Sequence, residues 1–136
     1  MHPSESLAER KAEFDRELRL AGDMHRAGVK ILAGTDTPNP WVFPGTSLHE
    51  ELGLLVKAGL TPAESLRAAT LRPAEFFDAS NRLGTVSAGK MADLVLLSSD
   101  PLADITNTRR IDAVMVDGRL YDTQDLHKMT ATAREH

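Results

Sequence analysis

Hydrophobic positions in the first part of the chain recur at helical spacing. Leu7, Phe14, Leu18, Ala21 and Met24 share one face of a helix that opens with a Ser6/Glu9 capping box and closes at Gly28. Gly22 lies inside this helix and is expected to weaken it. The pattern then changes. Val29 to Ala33 is an apolar run too short for a helix, and it ends in Gly34-Thr35-Asp36. Such a run reads as a buried strand delivering an acid to its C-terminal end, where α/β folds collect ligands and catalytic groups. The same tripeptide ahead of Pro38 also suits an ordinary loop in which Asp36 caps a turn.

From Thr37 to Gly45 the chain is a loop stiffened by Pro38, Pro40 and Pro44, with Trp41 and Phe43 available for a pocket wall, a plug over the core or an oligomer contact. Thr46 or Ser47 caps the next helix, which carries Leu48, Leu52, Leu55 and Val56 on one face and stops at Gly59. His49, Glu50 and Glu51 fall near its start, where acids suit the helix dipole without any catalytic role. Thr61-Pro62-Ala63-Glu64 starts a further helix, and Pro73 opens a short one through Phe77. Beyond Asn81 the period becomes that of strands. Leu94 to Leu97 and Ile111 to Val116 are the two runs, and Asp117-Gly118 is a hairpin turn returning through Leu120 and Tyr121. The polar tail from Thr123 has weak helical tendency and is expected to fray.

Composition narrows the function classes. At 136 residues the chain is one domain's worth, short of the roughly 250 residues of a (β/α)8 barrel. A formal charge of −4 offers no attraction to nucleic acid or to an anionic membrane, and no apolar run is long enough to span a bilayer. The N-terminus, Met1-His2-Pro3-Ser4-Glu5, does not read as a signal peptide. Without cysteine, disulfides and thiolate metal sites are excluded, and a cytoplasmic location is the default. Gly84 to Lys90 has the spacing of a phosphate-binding loop, but Met91 stands where a Ser or Thr is required and a strand follows instead of a helix. His25, beside the apolar stripe of the first helix, reads as a packed side chain rather than a ligand.

Taken in order, a set of motifs resembles the amidohydrolase superfamily, in particular its imidazolonepropionase and metal-dependent dipeptidase branch. The set comprises Ala33-Gly34-Thr35-Asp36, Pro44-Gly45, Ser47-Leu48-His49-x-Glu51-Leu52, Ala58-Gly59-Leu60-Thr61-Pro62, Ala68-Ala69-Thr70, Leu83-Gly84-Thr85, Gly89-Lys90-x-Ala92-Asp93-Leu94-Val95, Asp100-Pro101-Leu102 and Val116-Asp117-Gly118. The resemblance implies an α/β fold that is a partial (β/α)8-barrel C-terminal segment, helix-strand-helices over residues 1–80. A β hairpin or sheet from a small flanking domain follows over 81–122, then a flexible tail over 123–136. It also implies that Asp36 corresponds to the aspartate ending the last barrel strand, which touches a divalent metal and shuttles a proton, and that His49 orients substrate near the barrel mouth. Both are therefore candidate catalytic residues, with Asp36 the candidate ligand for zinc or another divalent metal. Gly89, Lys90 and Asp93 match a structural loop.

The sequence also departs from that family. No His-x-His pair is present, and His2, His25, His49, His127 and His136 lack metal-ligand spacing. A catalytic zinc usually takes about three protein ligands, so Asp36 alone cannot hold one. Three readings follow: a truncated chain of an enzyme hydrolysing C–N bonds of small amide, peptide or cyclic amide substrates; a non-catalytic, self-associating remnant of that fold; or a small hydrolase whose new site forms at a subunit interface from Asp36, His25, His49 or Glu50. A lone barrel strand beside a hairpin is not stable by itself, so homo-oligomerisation is expected to complete the fold.

Overall fold

Ser6 opens the first helix as its capping box predicts. In the computed structural model, which describes residues 6–37, 39–40 and 42–133, the Ser6 hydroxyl accepts from the Glu9 N–H and the Glu9 carboxylate accepts from the Ser6 N–H. Helix α1 then runs Leu7–Arg26 and packs across α2, Thr46–Ala58. Gly22 is the one residue of α1 that is buried. A Cβ at Gly22 would stand 2.1 Å from the Ala58 carbonyl oxygen. The glycine that looked like a weak point in the helix is what lets the two backbones approach.

Helix α2 corrects one capping expectation. Its N-cap is Gly45, with φ 82 and no side-chain cap bond. The Ser47 hydroxyl instead accepts from the Phe43 N–H at 2.8 Å, and the Ser47 N–H donates to the Phe43 carbonyl at 3.0 Å, so Ser47 secures the loop ahead of the helix. At the other end Gly59 adopts the left-handed conformation expected of a helix stop. Helix α3, Pro62–Ala69, begins with the Thr61/Glu64 capping box, and α4 covers Leu71–Phe76. The fully buried Ser65 ties α3 to α2 by donating its hydroxyl to the Leu52 carbonyl at 2.9 Å. Leu55, Leu60 and Ala68 form the core beneath these helices, with Ile31 and Ala33 packed against it.

The strand expected over Val29 to Ala33 does not form. Residues 31–35, termed the extended segment for their burial pattern, have Ile31, Ala33 and Thr35 partly buried and Leu32 and Gly34 exposed, which is the alternation of a strand. A strand is defined by a ladder, however, and no described strand pairs with this segment. Its backbone is held by helices instead, through the Ala33 N–H to the Ala68 carbonyl at 2.9 Å.

Strands occur only in the second half of the described chain. Strands β1, Leu94–Leu97, β2, Ile111–Val116, and β3, Arg119–Asp122, form an antiparallel sheet in the order β1-β2-β3. The predicted hairpin turn is present, with φ 48 at Asp117 and 78 at Gly118. Positive values at both central residues match the twist of the flanking strands. Between β1 and β2 the loop contains a 3-10 helix, Ile105–Arg109, whose Ile105 and Thr108 are buried. The weak helical tendency after Thr123 becomes α5, Thr123–Ala133, its first N–H groups met by the Asp122 carboxylate at 2.8 and 3.0 Å. Lys90 spends its ammonium on its own loop, donating to the Ser80 and Leu83 carbonyls at 2.7 and 3.1 Å and to the Thr85 hydroxyl. No described helix is long and apolar enough to cross a membrane.

Gly22→Ala sets two effects against each other. Helix propensity favours alanine by about 1 kcal/mol, while overpacking costs about 1–3 kcal/mol. With an obstructing carbonyl 2.1 Å away, overpacking should win. The variant should unfold at a lower urea concentration than the parent chain. An unchanged or raised midpoint would show that α1 and α2 separate at no cost.

Candidate active site

Asp36 ends the extended segment, and its backbone turns there. Its φ is 54, a left-handed value uncommon for a residue other than glycine and tolerated best by Asp and Asn. The Asn39 side-chain amide donates to the Asp36 carboxylate, and the Asn39 N–H donates to the Asp36 carbonyl at 3.1 Å. Thr35 and Thr37 pair their hydroxyls at 3.0 Å on either side. The Asp36 side chain is exposed, so its carboxylate meets solvent.

One side chain on α2 anchors this segment. The Glu51 carboxylate accepts from the Gly34 N–H at 2.7 Å, bridging 17 positions of sequence, while its other oxygen is buried with no hydrogen-bond partner. A buried carboxylate oxygen left unpaired is costly. The neighbouring Glu50 points elsewhere and pairs with Arg109 at 3.6 Å. Sequence reasoning placed both acids beside the helix dipole, kept Glu50 as a candidate for an interface site, and missed the anchoring role of Glu51. A signal was present: Glu51 stands four residues from Ser47 and four from Leu55, both buried, which puts an acid on the inward stripe of the helix.

His49 faces the sheet side of α2. Its Nδ1 lies 3.0 Å from the Thr108 hydroxyl, which itself donates to the Ile105 carbonyl at 2.8 Å. A hydroxyl has one proton to give, so His49 Nδ1–H is the donor and Nε2 is left as the acceptor. Burial, and then the charge of Arg109, hold the ring's pKa below the ordinary histidine range. His49 and Thr108 line a mainly apolar pocket of about 640 Å³ between α2, α3 and β1, with Leu48, Leu52, Leu66 and Val95 among its walls.

These placements separate the predicted residues. Asp36 lines neither that pocket nor a smaller one at His25, while His25 pairs with Glu64 at 3.4 Å. Neither of these two pockets brings Asp36, His25 and His49 together. His127 is exposed on α5; His2, Trp41 and His136 lie outside the described residues. Among the described residues no three His, Asp or Glu side chains converge as a metal site. The donors present do not fit a divalent metal by themselves.

His49 should give the fold a pH signature. A ring whose pKa is lowered on folding is protonated more readily when unfolded, so its contribution is complete above the ordinary histidine value of about 6.5 and is lost as pH falls from there through the lowered folded value. Urea midpoints should drop more steeply from pH 7.5 to 5.5 in the parent chain than in His49→Gln. Parallel profiles would refute the assignment.

Comparison with known proteins gives this geometry its context. Residues 6–121 match the amidohydrolase family. The imidazolonepropionase of Geobacillus sp. (strain WCH70) is 38% identical over 71 residues, covering 52% of this chain and 16% of that protein. Among solved structures, the bottromycin amidohydrolase superposes with a TM-score of 0.77 at 32% identity, covering 93% of this chain and 28% of that one. A Xaa-Pro dipeptidase with methionine bound in its active site gives a TM-score of 0.70 at 30% identity, covering 77% and 25%. The chain thus spans under a third of the length of each of these relatives. With its family match extending over most of its residues, this chain belongs to the amidohydrolase family.

Proposed function

We propose that this chain forms the C-terminal portion of a hydrolase acting on the C–N bonds of small amides, peptides or cyclic amides. In this reading residues 1–80 are the last helix, strand and helices of a (β/α)8 barrel and residues 81–122 belong to a flanking sheet, in a cytoplasmic protein. The observation that carries it is Asp36: an exposed carboxylate on a left-handed turn, at the end of an extended segment that packs on helices and alternates like a barrel strand. A carboxylate so placed can take a proton from an attacking water and return it to the departing nitrogen as the C–N bond breaks. Zinc or another divalent metal belongs to the same proposal only if most of its ligands come from outside this chain, with Asp36 contributing one. His49 enters as a candidate for orienting substrate, in its neutral form, from the α2 side.

Asp36→Asn removes the proton acceptor and keeps the shape. Any amide or dipeptide hydrolysis supported by this chain should fall about 10²- to 10⁴-fold, the range of a lost general base, with unchanged circular dichroism. Undiminished turnover would place the chemistry elsewhere.

A second reading is favoured by the sheet. Strand β1 is Leu94-Val95-Leu96-Leu97 at an open edge, with Val95 and Leu96 more than half exposed, and it carries no charge or proline of the kind that protects such edges. On this reading the chain is a non-catalytic homo-oligomer in which copies cover one another's apolar edges. Light scattering on the purified chain should give a dimer or larger mass, and Val95→Lys should lower it. A monodisperse parent monomer rules this out.

A further inference from the structure

A second hollow is lined by neither Asp36 nor His49. It measures about 200 Å³ and is formed by the α1–extended-segment turn at Gly28 to Ile31, by Leu60, Glu64 and Arg67, and by Arg72 on α4. Lys30, Arg67 and Arg72 bring three fixed positive charges to it from three different elements. This convergence runs against a chain whose net charge is −4.

The acids nearby are already committed. Glu64 gives one oxygen to the Thr61 capping box, at 2.7 and 2.8 Å, and the other to His25 at 3.4 Å. Glu75 uses a single oxygen for both Arg72, at 2.8 Å, and Lys30, at 3.6 Å. Both carboxyls are held below the usual range, Glu64 first by its bonds to Thr61 and Glu75 first by its bond to Arg72, so both stay charged near neutrality. Two carboxylates against three permanent cations leave one positive charge in excess. Arg67 makes no ion pair among the described residues and feels Glu64 only at longer range. Its place in the last turn of α3 suits that helix's dipole. The dipole does not account for Lys30 and Arg72 facing the same hollow from other elements.

We propose that this hollow binds a small tetrahedral oxyanion such as inorganic phosphate, held by the Arg67 guanidinium with Lys30 and Arg72. A guanidinium offers paired N–H donors matched to phosphate oxygens, and a pocket of this size admits one such ion with some of its water. The site is separate from the proposed hydrolytic chemistry and does not depend on it.

Titrating inorganic phosphate into the full chain, against chloride of equal ionic strength, is the test. Saturable shifts are expected in the backbone amide resonances of Gly28 to Ile31 and of Arg67, together with a raised melting temperature, since a ligand of the native state stabilises it. Arg67→Gln, at an exposed position, should weaken the apparent affinity about tenfold, the equivalent of one charge-assisted bond, and Lys30→Gln should weaken it in the same direction. Arg16→Gln, exposed on α1 outside the hollow, should leave it unchanged. Shifts that do not saturate, that chloride reproduces, or that both hollow variants retain would overturn the proposal. Succinate binding in place of phosphate would overturn the tetrahedral assignment.

Discussion

The architecture turns on an extended segment that has no strand beside it. Ile31 and Ala33 point their side chains into the Leu55–Leu60–Ala68 core, and two hydrogen bonds, from Ala33 to the Ala68 carbonyl and from Gly34 to Glu51, do the work a ladder would otherwise do. Both anchors come from the helices that follow in sequence. The position of Asp36 is therefore set by α2 and α3 rather than by a sheet. Glu51 is the more consequential anchor, because it grips the backbone two residues before the acid and does so with a carboxylate that is otherwise left half satisfied.

The second half of the chain repeats that theme of one covered side. Strand β3, joined to β2 by the tight hairpin turn, has α5 packed against it, and its other edge has no strand partner among the described residues. Strand β1 has β2 on one side and an open edge on the other, lining the apolar pocket with α2 and α3. The hydrogen bond from His49 to Thr108 and the ion pair of Glu50 with Arg109 link α2 to the segment between β1 and β2. The two halves are thus joined by polar contacts alongside a loosely filled apolar pocket.

Much of this was legible where the signal was local. Both capping boxes, at Ser6/Glu9 and Thr61/Glu64, are read from four residues and form as read, because the partners are neighbours in sequence. The Asp117-Gly118 turn and the Gly59 helix stop follow from backbone angles that few residues accept. Apart from the α2 cap, where Ser47 bonds Phe43 instead of capping the helix, the misreadings concern partners distant in sequence. The apolar run at Val29 to Ala33 has a strand's composition, but composition does not supply a neighbouring strand. Gly22 looked like a flaw because the carbonyl it makes room for is 36 residues away, at Ala58. Glu51 looked like Glu50 because only folding puts one beside Gly34 and the other beside Arg109. The family motifs, being an ordered set, carried information that single patterns lacked.

Separation of the candidate residues constrains how any chemistry could be arranged. Asp36 is exposed on a turn beyond the extended segment, whereas His49 is partly buried on the sheet side of α2 with its Nδ1 proton committed to Thr108. A histidine so tied serves best as a neutral acceptor through Nε2, because a second proton would be added against burial and against the charge of Arg109. Asp36, whose carboxylate accepts from the Asn39 amide, is the exposed group of the two and meets solvent directly. If both act on one substrate, the division of labour follows from these surroundings: the carboxylate moves protons and the imidazole holds position.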